Sequence, residues 1–217
     1  MYIGHFAIGF GAKAVSPRVS LGTMFLAAQW LDLLWPTFLL LGWEEVRIAP
    51  GITQVTPLDF VAYPLSHSLL AVVGWALLLA FGYWWFRRSR FGSFVLGLAV
   101  LSHWLLDFIA HRPDLPLYPG GSELFGLGLW SSVGATILVE SLLFGVGLAL
   151  YARRTAAKDR VGSLGLVALV VFLLLTYVAN LFGPPPPSAL AIAWAGQAQW
   201  LLVLWAYWVD RHRCLNQ

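Results

Sequence analysis

Asp32, Asp107 and Glu140 lie inside long apolar stretches of the chain, and no Lys or Arg shares those stretches with them. A charge at the centre of a bilayer costs roughly 2.5–3.5 kcal/mol even on lenient insertion scales. Three such acids without a basic partner require a metal ion, a histidine or a bound proton. His67 and His103 are the nearest polar company. Imidazole and carboxylate together suit Zn²⁺, Mn²⁺ or Fe²⁺. The single cysteine, Cys214 in the C-terminal tail, leaves no thiolate cluster and no internal disulfide.

Spacing groups these residues further. His103 and Asp107 stand at i and i+4, on one helical face a turn apart. Gln29 and Asp32, at i and i+3, share a face as well. His111 continues the His103-x3-Asp107-x3 pattern, but Pro113 follows closely and proline disfavours helical geometry before it, so His111 is expected to leave the helix. Taken singly, Glu140 reads equally as a protonated acid held by a neighbouring backbone group, and His103–Asp107 as a structural interhelical bond. His67 alone reads as an interfacial residue, and His212, among basic residues, as a solvated one.

The elements that must position them are membrane helices. Of the 217 residues, 59% are hydrophobic and 11% charged, and mean hydropathy is +0.76; a soluble domain carries about 25% charged residues. The chain is therefore expected to be a single all-α integral membrane domain over residues 1–217, a polytopic helical bundle. Six segments, about 20–42, 65–86, 91–111, 128–151, 162–182 and 188–209, reach the roughly 20 apolar residues a span requires. Tyr2 to Ala12 is too short to cross and reads as a half-inserted or interfacial helix. The N-terminus lacks the basic region and cleavage site of a removable signal peptide. A net charge of +3 reflects topology here and not nucleic-acid binding.

Eleven of the thirteen Lys and Arg residues fall on one side of this arrangement, with Arg47 and Arg112 alone on the other. The positive-inside rule then makes the C-terminus cytoplasmic and turns loops 43–64, 110–127 and 183–187 outward. At 1.5 Å of rise per residue from the basic residues, Asp32 lies about 21 Å deep, His103 and Glu140 about 20 Å, Asp107 about 6 Å further and His67 about 30 Å. Four helices thus bring polar groups to one half of the membrane. The same count leaves His5 about 9 Å short of Asp32.

A series of short motifs then appears in order: His5, Trp30-Leu31-Asp32, Ser66-His67-Ser68, His103-x3-Asp107 and a Leu117-Tyr-Pro-Gly loop. In this order, over residues 1–120, the chain resembles the bacterial inner-membrane proteins classed as metal-dependent hydrolases, the family of the LexA-regulated membrane-bound hydrolase. Relatives carry Pro-Asp-x-Asp where this chain has Gln29-Trp30-Leu31-Asp32, and His-Arg-Gly where it has Ala62-Tyr63-Pro64. The resemblance implies an inner-membrane hydrolase whose divalent metal, zinc first with Mn or Fe as alternatives, is held by Asp32, His67, His103 and Asp107. His5, Gln29, His111 and Arg112 would support the site or meet substrate. The departures imply one metal where relatives bind two, or lost catalysis.

Under that reading Glu140 or Asp107 is the general base. The substrate is a lipid or other amphiphilic ester or phosphoester, reached from the outer leaflet beneath loop 110–127, with Arg112 available to an anionic headgroup. The competing class is a non-catalytic membrane protein, either a proton- or cation-coupled transporter or an accessory subunit, that uses the buried acids and histidines as relay or structural glue.

Overall fold

A backbone inside a bilayer must satisfy its own hydrogen bonds, and helices do so within one segment. The computed structural model describes residues 1–216. Among them ten α-helices form: α1 (Ile3–Val15), α2 (Leu21–Ala28), α3 (Trp30–Leu40), α4 (Pro64–His67), α5 (Leu69–Arg87), α6 (Arg90–Ala110), α7 (Val133–Arg154), α8 (Arg160–Phe182), α9 (Ala189–Gln197) and α10 (Gln199–Arg211). Helices α5, α6, α7, α8 and the α9–α10 pair are each long and apolar enough to cross a membrane, and α2 with α3 make a sixth span bent by 56°. The expected all-α polytopic bundle is the fold of this chain. Two-stranded pairings decorate its ends: Glu45–Ile48 with Leu58–Ala62, Leu115–Pro116 with Leu124–Phe125, and Thr155–Ala157 with Arg213–Leu215.

Helix α1, expected to be half-inserted or interfacial, is inserted among the other helices. Ile3, Phe6 and Phe10 are wholly buried. They belong to a core that also takes Phe25 from α2, Phe144 and Tyr151 from α7, and Leu169 and Leu173 from α8. Phe10 sits edge-on to both Phe25 and Phe144, with ring centroids 5.0 and 5.9 Å apart. The helix need not span, because longer helices surround it and its first backbone N–H groups meet an acid from α7. Lys13 is also buried, at 6% exposure; its ammonium donates to the Pro17 carbonyl and to Asp210. The depth count left His5 short of Asp32 because it followed a straight helix from Arg18 to Asp32, whereas α2 and α3 bend by 56° at Gln29.

Three spans are interrupted where a single helix was expected; the α9–α10 junction at Ala198 keeps helical geometry, and the other two are true breaks. Between α2 and α3 the break falls at Gln29, which leaves helical geometry at φ −100°, ψ 6°. The last four carbonyls of a helix lack intrahelical donors, and here that of Ala28 accepts from the imidazole of His103. A side chain inserted into the backbone ladder is a recognised cause of a sharp kink. The second break is at Ser68, extended at ψ 142°, which caps α5 by accepting from the Ala71 N–H. It turns the one-turn helix α4 and its His67 away from the axis of α5. Pro64 occupies the first turn of α4, where its missing N–H is harmless.

The interface between α1 and α7 is closest at Gly147. A Cβ there would stand 2.3 Å from the Ala7 carbonyl oxygen, and backbone cannot move aside as a side-chain tip can. Gly147→Val should therefore destabilise the protein by about 1–3 kcal/mol through overpacking. Thermal unfolding of the detergent-solubilised variant checks this, and an unchanged midpoint would contradict the close approach.

Candidate metal centre

Five helices converge on one polar cluster. Helix α1 supplies His5, the first turn of α3 supplies Asp32, the end of α4 supplies His67, α6 supplies His103 and Asp107, and α7 supplies Glu140. His103 Nε2 lies 3.1 Å from Asp107 Oδ2 and 3.6 Å from Asp32 Oδ1. His67 Nε2 is 3.7 Å from each of the same two oxygens. His5 Nε2 is 3.0 Å from Asp107 Oδ1, and its ring stacks on that of His103 at 3.6 Å. The α-amino group of Met1 also donates to Asp107 Oδ1, at 2.5 Å.

The hydrogen bonds around the cluster decide what its nitrogens can do. His103 Nδ1 lies 2.7 Å from the Ala28 carbonyl, which only accepts, so Nδ1 carries the proton. In the neutral ring Nε2 then presents a lone pair, and this fully buried atom has no hydrogen-bond partner. His67 is oriented by a longer chain. The Ser66 hydroxyl donates to Glu44 Oε2 at 2.6 Å and so accepts from His67 Nδ1 at 2.7 Å. His67 Nε2 likewise turns a lone pair inward. Glu44 also accepts from the backbone N–H groups of Leu65 and Ser66 at 2.8 and 2.7 Å, the orphan donors of the first turn of α4.

With both rings neutral, two imidazole lone pairs converge with the carboxylates of Asp32 and Asp107. Two sets of ligand atoms, from His5, His103 and Asp107 and from Asp32, His67 and His103, each fall within 4.8 Å. These groups could hold a metal. Both sets use His103, whose one free lone pair can serve one ion. Asp107 joins them: Oδ1 accepts from the Met1 amino group and stands beside His5 Nε2, while Oδ2 faces His67 and His103.

The remaining residues singled out by sequence take varied positions. Glu140 Oε2 accepts from the Gly4 N–H at 3.1 Å, an acid at the positive end of a helix dipole; its Oε1 is buried without a partner. His111 does leave the helix, at ψ 150°. Its Nδ1 is 2.9 Å from Asp114 Oδ1, its Nε2 is 3.9 Å from Asp107 Oδ1, and its ring packs on Trp130 at 4.3 Å. The Tyr63 hydroxyl donates to the same Asp114 oxygen at 2.7 Å. Burial and the adjoining Asp114 carboxylate hold that phenol well above the usual tyrosine range, so it remains a donor. Gln29 is buried at the α2–α3 break with no partner for its amide, and it lines neither of the cavities described below. The Arg112 guanidinium is engaged by Asp59 and Asp114 and lines neither cavity as well.

A cavity of about 150 Å³ reaches the cluster, walled by Asp32, His67, Asp107, His111 and Glu140. A larger one, about 640 Å³, adjoins it and shares Tyr2, Trp35, Thr56, Asn180 and Gln199. No charged side chain lines the larger cavity, and Pro184 to Pro187 form part of its wall. Residues of the 50–58 loop line both cavities and those of 183–187 the larger one, whereas of the 110–127 loop only His111 reaches either.

Such a cluster at the heart of a helical bundle defines a multi-pass membrane protein with a buried His/Asp centre. The model of the YdjM inner membrane protein family matches residues 63–185, and the chain belongs to that family. The matched region holds His67, His103, Asp107, His111 and Glu140, while His5 and Asp32 lie outside it. Comparisons with curated proteins and with solved structures gave no match. The family places the chain in the inner membrane and leaves its reaction open.

Glu44 and Ser66 act on the centre only through His67. Partners of this kind typically change metal affinity by about 10- to 100-fold. Ser66→Ala should weaken divalent-metal binding by that factor without changing stoichiometry, as read by competition with a chelating dye. Wild-type affinity in Ser66→Ala would show that the serine does not orient His67.

Proposed function

We propose that this protein is a membrane-embedded, metal-dependent hydrolase of an amphiphilic ester or phosphoester. The observation that carries the reading is the convergence of His67 and His103 Nε2 with the Asp32 and Asp107 carboxylates, where the one cation in reach, the Met1 amino group, engages Asp107 Oδ1 alone. Asp32 and Asp107 Oδ2 meet only histidines, and a metal ion would balance their charge. The donors are nitrogen and oxygen only, a set that suits zinc, with manganese and iron as alternatives.

Asp32, His67, His103 and Asp107 would hold one ion, with His5 beside them. When bound, it supplies Lewis acidity and a water made acidic enough to serve as a nucleophile near neutral pH. The small cavity gives substrate and water access to Asp32, whose side chain is 26% exposed. Glu140 is the better placed general base: its Oε1 is free, whereas both Asp107 oxygens already face other groups. The adjoining uncharged cavity would take the body of an amphiphile while its scissile head enters the polar chamber, a division of labour common in ligand sites. By the positive-inside rule the chamber opens towards the outer face and the C-terminus is cytoplasmic.

Metal analysis of the purified protein tests this directly. The expected result is one Zn, Mn or Fe per chain, lost in His103→Ala. Glu140→Gln should keep the metal and lower turnover of a chromogenic amphiphilic ester by about 10²–10⁴-fold, the usual contribution of a general base. Absence of metal under all conditions, with unchanged stability in His103→Ala, would overturn the reading in favour of a polar cluster acting as relay or glue.

A further inference from the structure

At the opposite, arginine-rich end of the bundle, a cavity of about 660 Å³ opens between α2, α5, α6 and α10. Arg18, Arg87 and Arg211 stand around it. All three are exposed, and among the described residues none of their guanidinium groups is in an ion pair. The one acid in the wall, Asp210, is committed elsewhere: Oδ2 receives Lys13 Nζ and the Leu21 N–H, each at 3.2 Å. The lining therefore carries an uncompensated positive charge.

Beneath the arginines the wall is hydroxylic and then apolar. Thr23 links Ser20 to the Tyr207 hydroxyl at 2.7 and 2.9 Å, and Tyr83 joins them in the wall. Leu78, Leu79 and Leu96 follow. Arg87 to Leu78 covers nine residues of α5, about 14 Å along the axis. That length accommodates a headgroup and the first part of an acyl chain. Leu78 and Phe86, 57% and 83% exposed, border the cavity on the apolar outer face of α5.

We infer that this cavity is a binding site for an anionic phospholipid, its phosphate held by Arg18, Arg87 and Arg211 and its chain lying against α5. Basic pockets between membrane helices recognise lipid headgroups in this way, and guanidinium suits phosphate geometrically as well as by charge. The site lies at the other end of the bundle from the His/Asp centre and does not depend on its chemistry.

Native mass spectrometry of the full-length protein, titrated in detergent with phosphatidylglycerol, phosphatidylcholine or inorganic phosphate, tests it. Phosphatidylglycerol should be retained in preference to phosphatidylcholine, and inorganic phosphate should not displace it. Near a membrane surface each arginine contributes roughly fivefold, so the triple variant Arg18→Gln, Arg87→Gln, Arg211→Gln should bind about a hundredfold more weakly. The charge-matched control Arg153→Gln, Arg154→Gln, Arg160→Gln should bind as the wild type does. Gly82→Leu tests the cavity with every charge retained: Gly82 lines it, a Cβ there meets nothing within 4 Å, and the leucine should reduce retention. Equal loss in the control triple, full retention in Gly82→Leu, or displacement by inorganic phosphate would overturn the proposal.

Discussion

Asp107 accepts from the Met1 amino group at one oxygen, with His5 beside it, and faces His67 and His103 at the other. A carboxylate at this depth survives only if its desolvation is offset by partners close by, and the partners come from three directions: the chain start, the end of α4 and the preceding turn of α6. Much of the surrounding architecture follows from that demand. Helix α1 must run through the core to deliver His5, and it can do so because Gly147 lets its backbone approach α7. Glu140 then fixes its depth by taking the Gly4 N–H.

His103, Asp107 and Glu140 reach the cluster from regular helices, but Asp32 and His67 sit beside backbone breaks, and each break exposes groups that need their own partners. The α2–α3 break frees the Ala28 carbonyl, and His103 occupies it. The α4–α5 break lets His67 turn inward, and Glu44 reaches in beside the Glu45–Ile48 strand to satisfy the first turn of α4. The broken helices thus help Asp32, His67, His103 and Asp107, from three spans, to point to one place. Non-helical backbone at membrane depth is tolerated where it is buried or lines a cavity, and both breaks lie beside the cluster.

The two ends of the bundle have opposite electrostatic character. At one, acids outnumber nearby cations and converge around histidines; at the other, arginines surround a groove whose only acid is already paired. A protein working within a lipid phase can use both, one to process or hold a ligand and the other to anchor against a charged leaflet.

Much of this was legible in the amino-acid order. Hydropathy alone located the spans, because twenty apolar residues have few other uses, and the i, i+4 spacing placed His103 and Asp107 on one face. Depth counting brought Asp32, His103 and Glu140 to one level. It left His5 short because Asp32 was counted along a straight span, whereas α2 and α3 bend by 56° at Gln29. Glu44 gave no signal either: it lies 22 residues from Ser66 in an outer loop, and no periodicity links a hairpin acid to a helix turn. The residue types and the membrane fold were therefore determined by the sequence, since they depend on local hydrophobicity. The tautomers of the histidines, the chain Glu44–Ser66–His67, the central course of α1 and the shapes of the cavities were decided only by tertiary structure, because each depends on helices meeting at breaks and small residues that no single segment specifies.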